Sequence, residues 1–185
     1  TVIHSIGSGA WGYEKCPDEE MHRQNQRMYN DIIPMAEKYG ISIALESFGS
    51  IRRPDGTMGY DTFADPVKMR HELDSLKTEN KCFCLDSGHT HAATSGGYMS
   101  VPEYIRYFGE RIKILHLHDN DGIYDQHLYP TQGTIKWGEV FDALEEIGYD
   151  GYYNYEVSIK FGRYLKEATD LLGKFLRDFT ERCGK

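Results

Sequence analysis

Four apolar runs of this chain each finish on a carboxylate or an imidazole. Ile43-Ala44-Leu45 runs into Glu46, Cys84-Leu85 into Asp86-Ser87-Gly88-His89, Leu115-His116-Leu117 into His118-Asp119, and Asn154-Tyr155 into Glu156-Val157. A further run, Val2-Ile3-His4, opens the chain. Their hydrophobicity is continuous rather than alternating, which suits strands buried on both faces of a parallel sheet. One polar ending is ordinary; four in succession, supplying Glu, Asp, His and Glu, point to one metal site built from the carboxyl ends of parallel strands.

Between the runs lie helix signals. Asp18-Glu19-Glu20 places acids at a helix start, and Ile32, Ile33, Met35, Ala36 and Tyr39 form an apolar stripe ending at Gly40, with Pro34 predicting a kink or break. Asp65-Pro66 is a cap followed by a proline at the first helical position, and Ser100-Val101-Pro102-Glu103 is a capping-box pattern. Trp137, Val140, Phe141, Leu144 and Ile147 have helical spacing before Gly148, and a last helix runs from about Tyr164 to Arg182. Strand-helix units of this length require parallel strands with right-handed crossovers. An open doubly wound sheet would carry a glycine-rich phosphate loop, and Gly7-Ser8-Gly9 is too weak to be one. Chemistry at four strand ends favours an α/β fold of the (β/α)8 TIM barrel type.

A length of 185 residues fits a single domain, and the net charge of −8 disfavours nucleic acid or an anionic membrane as partner. No apolar run approaches the roughly 20 residues that cross a bilayer, and no signal-peptide pattern opens the chain, so the expected location is cytoplasmic. Cys16, Cys82, Cys84 and Cys183 are then expected as reduced thiols; a Cys82/Cys84 metal site lacks a second pair to complete it.

At the strand ends, Glu46, Asp86 and Glu156 are the candidate carboxylate ligands. His116 and His118 lie two apart and face the same side of one strand. His118, nearer the carboxyl end, is the better ligand candidate, and His116 reads as a neighbour of the ligands or as interior packing. Three carboxylates and one imidazole suit one divalent ion: Mn, Co, Mg or Zn. Asp125 and His127 in the following loop, with His4 and His89, could hold additional zinc, bind substrate, or only decorate loops. Asp119-Asn120-Asp121-Gly122 reads as a turn, because Gly falls at the wrong place for a calcium loop and no Glu closes it. Arg52 and Arg53, in the long polar loop after Glu46, are weaker candidates for clamping a substrate anion.

This ordered set resembles the xylose isomerase-like TIM barrel superfamily, whose members include sugar isomerases, ketose 3-epimerases, inosose dehydratases and zinc-dependent apurinic endonucleases. The stretch from His127 through Gly133 to Trp137, and Gly148-Tyr149-Asp150-Gly151, resemble sugar phosphate isomerase/epimerase-type members. The resemblance implies that Glu46, Asp86, His118 and Glu156 bind the metal. It also implies that His89 contacts substrate, as in the epimerases, or joins His4, Asp125 and His127 on further zinc, as in the endonucleases. Because the family's last metal-binding Glu lies on strand eight, the chain is expected to hold strands four to eight. Three units, or about 100 residues, would then be missing. Either the native protein is longer or a second chain supplies that part, a homo-oligomer included. The implied activity is a divalent-metal-dependent isomerase or epimerase of a sugar, sugar phosphate or polyol, transferring a proton through a metal-stabilised enediolate. Glu46 and Glu156 would act as base and acid. Alternatives are an inosose dehydratase-type lyase, an apurinic endonuclease with three zincs, which the acidic charge disfavours, and a non-enzymatic sugar-binding relative.

Overall fold

The structure is a computed structural model and describes residues 1–4, 18–53, 55–158 and 165–183, with the side chains of Ile51, Arg52, Leu165, Ala168 and Cys183 outside the description. In chain order the elements are β1 (Val2–Ile3), α1 (Asp18–Tyr39), β2 (Ile43–Glu46), β3 (Ser50–Arg52), β4 (Met58–Tyr60), α2 (Pro66–Ser75), β5 (Lys81–Asp86), α3 (Ser87–Thr94), α4 (Val101–Phe108), β6 (Ile112–Leu117), α5 (Trp137–Glu146), β7 (Tyr153–Tyr155) and α6 (Leu165–Cys183). Strands β1, β2, β5, β6 and β7 pair in that order as one parallel sheet, the α/β arrangement expected from the continuous apolar runs.

The sheet has two unlike faces. Against one lie the helices, and between them Leu45, Phe83, Leu85, Leu115 and Leu117 pack with Tyr29, Ile33, Tyr104, Phe108 and Phe141 in the main core. Burying each such side chain contributes about 1.5–3 kcal/mol. On the other face Ala44, Cys82 and Cys84 form a small second cluster with Val2 and Ile114. Cys82 and Cys84 are both free and buried. Cys16 lies outside the described residues.

The caps form as read. Asp65 Oδ1 accepts from the amides of Val67 and Lys68, with Pro66 opening α2. Glu103 Oε2 accepts the Ser100 amide at 2.8 Å. Gly148 takes a φ of +66°, so it closes the last turn of α5 where a side chain would be strained.

Four expectations change. Helix α1 runs unbroken through Pro34, because Pro34 and Asn30, whose carbonyl loses its partner, both lie on the exposed side where water replaces the missing bond. Its buried stripe is Met21, Asn25, Tyr29, Ile33 and Ala36, which leaves Met35 and Tyr39 exposed. The loop after Glu46 contains an antiparallel hairpin, β3 with β4. Finally, β7 is half-buried rather than buried on both faces, since among the described residues it pairs only with β6.

Candidate active site

Strands β2, β5 and β6 end side by side, and Glu46, Asp86 and the end of β6 therefore surface together, with Glu156 just past β7. Glu46 Oε1 lies 2.8 Å from His116 Nδ1, and Glu46 Oε2 lies 2.7 Å from His4 Nε2. The same His116 Nδ1 is 3.4 Å from Glu156 Oε1. Glu46, Asp86, His116 and Glu156 each offer one ligand atom, all within 4.8 Å of one another. The three expected carboxylates thus come together around His116, and His118 meets them at Asp86. The Glu156 side chain is 37% exposed.

His118 lies beyond the last rung of β6 and joins a second group. Its Nε2 is 3.0 Å from Asp86 Oδ1, and its ring stacks on that of His127. Asp125 stands among three imidazoles, 3.3 Å from His89 Nε2, 3.3 Å from His127 Nε2 and 3.7 Å from His118 Nε2. Asp86, His89 and His118 form one potential metal-holding triplet, and His118, Asp125 and His127 another. His127 is held in this place with a φ of +49°, a left-handed backbone that a non-glycine residue adopts at a cost of about 1–2 kcal/mol, while its Nδ1 donates to the Glu156 carbonyl at 2.6 Å.

Local geometry explains these positions. Asp86 both ends β5 and caps α3, its Oδ1 accepting the His89 amide at 2.7 Å. That cap turns His89 back over the strand ends, where its Nδ1 donates to the Ser47 carbonyl at 3.1 Å. Gly88 has no side chain where the His118 ring lies; a Cβ there would stand 1.9 Å from His118 Cε1.

The electrostatics follow from carboxylates paired with imidazoles. Burial opposes the charged form of Glu46, yet hydrogen bonds and positive charge from His116 and His4 overcome it and hold the carboxyl down to about 2. Asp125 is likewise held to about 2 against its burial, chiefly by His89. Burial also opposes protonation of His89, and the charges of Asp86 and Asp125 prevail and lift it to about 10. Against the same burial, their carboxylate neighbours raise His116 and His118 as well.

These residues fit a divalent cation. Four carboxylates converge, and among the described residues their ion pairs at this centre are with imidazoles alone. With neutral imidazoles that negative charge is costly to bury unless a cation stands among it. His118 Nδ1 is buried without a hydrogen-bond partner, a nitrogen left over by the present pairing.

Arg53 is placed in the β3–β4 hairpin. Its Nη1 donates to Thr57 Oγ1 at 3.0 Å and to the Met58 carbonyl at 2.9 Å, closing the β3–β4 turn. The Arg52 side chain lies outside the description. Asn120–Gly122 is a turn, with Asp121 Oδ1 accepting the amides of Ile123 and Tyr124 and Gly122 at a φ of +81°. The sequence reading missed Ser47, Ser87 and the supporting role of Asp119, three fully buried polar residues. Their signal was position: each directly follows Glu46, Asp86 or His118.

Comparison with known proteins places this geometry. A curated, uncharacterized protein of Methanocaldococcus jannaschii is 31% identical over 160 residues, covering 84% of this chain and 52% of that protein. The inosose isomerase of Bacillus subtilis is 26% identical over 150 residues, covering 78% of this chain and 50% of the isomerase. The crystal structure of a D-tagatose 3-epimerase-like protein superposes with a TM-score of 0.69 at 26% identity, covering 98% of this chain and 63% of that one. The chain spans about half the length of the curated relatives it matches. A profile of the xylose isomerase-like TIM barrel matches residues 1–175, and the chain belongs to that family.

Proposed function

We propose that this chain carries the catalytic centre of a divalent-metal-dependent isomerase or epimerase acting on a sugar, sugar phosphate or polyol. The observation behind this is the meeting of Glu46, Asp86, His116 and Glu156, one ligand atom each, within 4.8 Å at the carboxyl ends of parallel strands. The names of two relatives, an inosose isomerase and a D-tagatose 3-epimerase-like protein, support the substrate class.

In this reading Glu46, Asp86, His116 and Glu156 hold the ion, and the oxygen-rich set suits Mn, Mg, Co or Zn. Such an ion supplies a Lewis acid that lowers the energy of negative charge developing on two adjacent substrate oxygens. Glu46 and Glu156 approach His116 from two strands separated by β5 and β6, which suits them to the two faces of a bound hydroxy-ketone. One carboxylate takes the proton from the carbon beside the carbonyl, and the C–H electron pair moves toward oxygen as the enediolate forms. The other carboxyl returns a proton to the opposite face in an epimerase, or to the neighbouring carbon in an isomerase. His89 Nδ1 is held by the Ser47 carbonyl, so its Nε2, paired with Asp125, is the nitrogen that would release that carboxylate and donate to a substrate oxygen.

The test is turnover of a panel of ketoses, their phosphates and inososes by the wild type and by Glu156→Gln. The wild type should exchange solvent deuterium into substrate, and the variant should lose turnover by about 1,000-fold or more. Undiminished exchange in the variant would remove Glu156 from the mechanism. Loss of water from an inosose would instead assign a dehydratase. The His118–Asp125–His127 group favours one other reading, an apurinic endonuclease with several zincs. Cleavage of a duplex at an abasic site is its assay, and the acidic charge of −8 weighs against it.

A further inference from the structure

We propose that Ser47 and Ser87 are positioning residues that fix the backbone at Asp86, in the metal centre proposed above, and at His118, in the donor group beside it, an inference that rests on that centre. The two serines make the same pair of bonds one strand apart. Ser47 Oγ accepts the amide of Asp86 at 2.9 Å and faces the Asp86 carbonyl at 3.4 Å. Ser87 Oγ accepts the amide of His118 at 3.0 Å and donates to the His118 carbonyl at 2.8 Å. All four residues are fully buried or nearly so, Glu46 just before Ser47 included.

The bonds stand where the sheet ladder breaks off. Ser47 donates its own amide to the Cys84 carbonyl at 3.1 Å, so the next rung of a regular parallel ladder would join the Asp86 amide to the Ser47 carbonyl. That carbonyl is instead occupied by His89 Nδ1. The hydroxyl takes over the rung, which leaves the carbonyl free to orient the imidazole. Ser87 repeats the exchange: it opens α3, and the helix turns its carbonyl away from β6. Its hydroxyl then serves the His118 amide, two residues beyond His116. Thr90 Oγ1 donates to Ser47 Oγ at 3.2 Å and fixes the rotor of the first clasp. A buried amide robbed of its acceptor is unfavourable, so the strand end would shift to recover one, carrying the donor side chain with it.

The test is cobalt(II) binding to the full chain, read by calorimetry and by the visible ligand-field bands, which report donor geometry independently of turnover. Ser47→Ala should bind the first equivalent of cobalt about 10- to 100-fold more weakly, with altered bands, and Ser87→Ala should weaken by a similar factor the further equivalent that His118 would hold. Ile33→Val, in the core contact between α1 and the sheet, should lower the melting temperature and leave affinity and bands unchanged. Thr90→Val keeps the side-chain volume and removes only the bond to Ser47; it should weaken binding several-fold, and it carries the test if an alanine variant does not fold. Wild-type affinity and bands in the folded serine and threonine variants would overturn the proposal. A wild-type chain that binds no cobalt would defeat the metal centre itself and this inference with it.

Discussion

His118 and His127 stack face to face, with ring centroids 3.9 Å apart and planes 9° from parallel. Asp125 stands between their outer nitrogens as the shared counter-charge. His116, by contrast, pairs with Glu46 and Glu156. The two histidines of β6 and its end therefore serve different groups, and their removal should have different effects. His116→Ala should weaken the first equivalent of cobalt or manganese by about 100-fold, roughly 2.7 kcal/mol. His118→Ala should leave that first equivalent within a few-fold and remove any second. Titration calorimetry decides, and equal losses in the two variants would refute the division.

Gly88 makes room for the His118 ring, whereas Gly138 in α5 has nothing within 4 Å of where a Cβ would go. Gly88→Ala should cost about 2 kcal/mol or more in urea unfolding, since the ring or the start of α3 must move. Gly138→Ala should instead stabilise the chain by about 0.5–1 kcal/mol through helix propensity. Matching shifts in the two variants would contradict the packing described.

Asp119 anchors the loop that carries Asp125 and His127. Its Oδ1 accepts the amides of Asn120 and Ile135, and its Oδ2 accepts those of Thr131 at 3.0 Å and the Trp137 indole at 2.9 Å. Thr131, at a φ of +77°, is held in a strained conformation by this bond. Asp119→Asn turns one acceptor into a donor facing N–H groups and should cost about 2–4 kcal/mol. Amide exchange at Thr131 and Ile135 should accelerate well before the core amides of β5 do. Unchanged protection there would show the loop is fastened by other means.

Asp61 governs a pH dependence. Its Oδ1 accepts the Phe63 amide at 2.7 Å, and its Oδ2 is buried without a partner. Burial raises its carboxyl from the ordinary 3.8 to about 6, against the Phe63 bond and the positive charges of His4 and His89. A folded-state value above the unfolded one means stability is fully present below pH 3.8 and is lost as pH rises through about 6. The loss is on the order of 3 kcal/mol. Asp61→Asn keeps an acceptor for Phe63 and carries no charge. Its melting temperature should exceed that of the wild type at pH 7, and the gap should close by pH 4. A gap independent of pH would exclude Asp61 as its source.

Much of the framework was legible because it rests on local pattern. Continuous runs such as Cys82 to Asp86 read as buried strands, and Glu46, Asp86 and Glu156 stood out because each interrupts or ends such a run. The choice between His116 and His118 was not legible, since a period of two puts both on one side. What separates them is where the ladder stops. The β5–β6 register shifts between Phe83 and Cys84, β6 ends at Leu117, and the His118 amide leaves the ladder for Ser87. The β3–β4 hairpin escaped for a related reason, because three residues per strand carry no periodic signal.

Asp86 belongs to both groups of donors, the one with Glu46, His116 and Glu156 and the one with His89 and His118. A residue with two masters limits how each can vary. The loop from Asn120 to Thr134 brings Asp125 and His127 up to His118, on the outer side of that carboxylate. A loop of different length or composition would change the outer group while Glu46, His116 and Glu156 kept their places on the other side of Asp86. The two groups can therefore vary separately in every donor but one, and that one is Asp86.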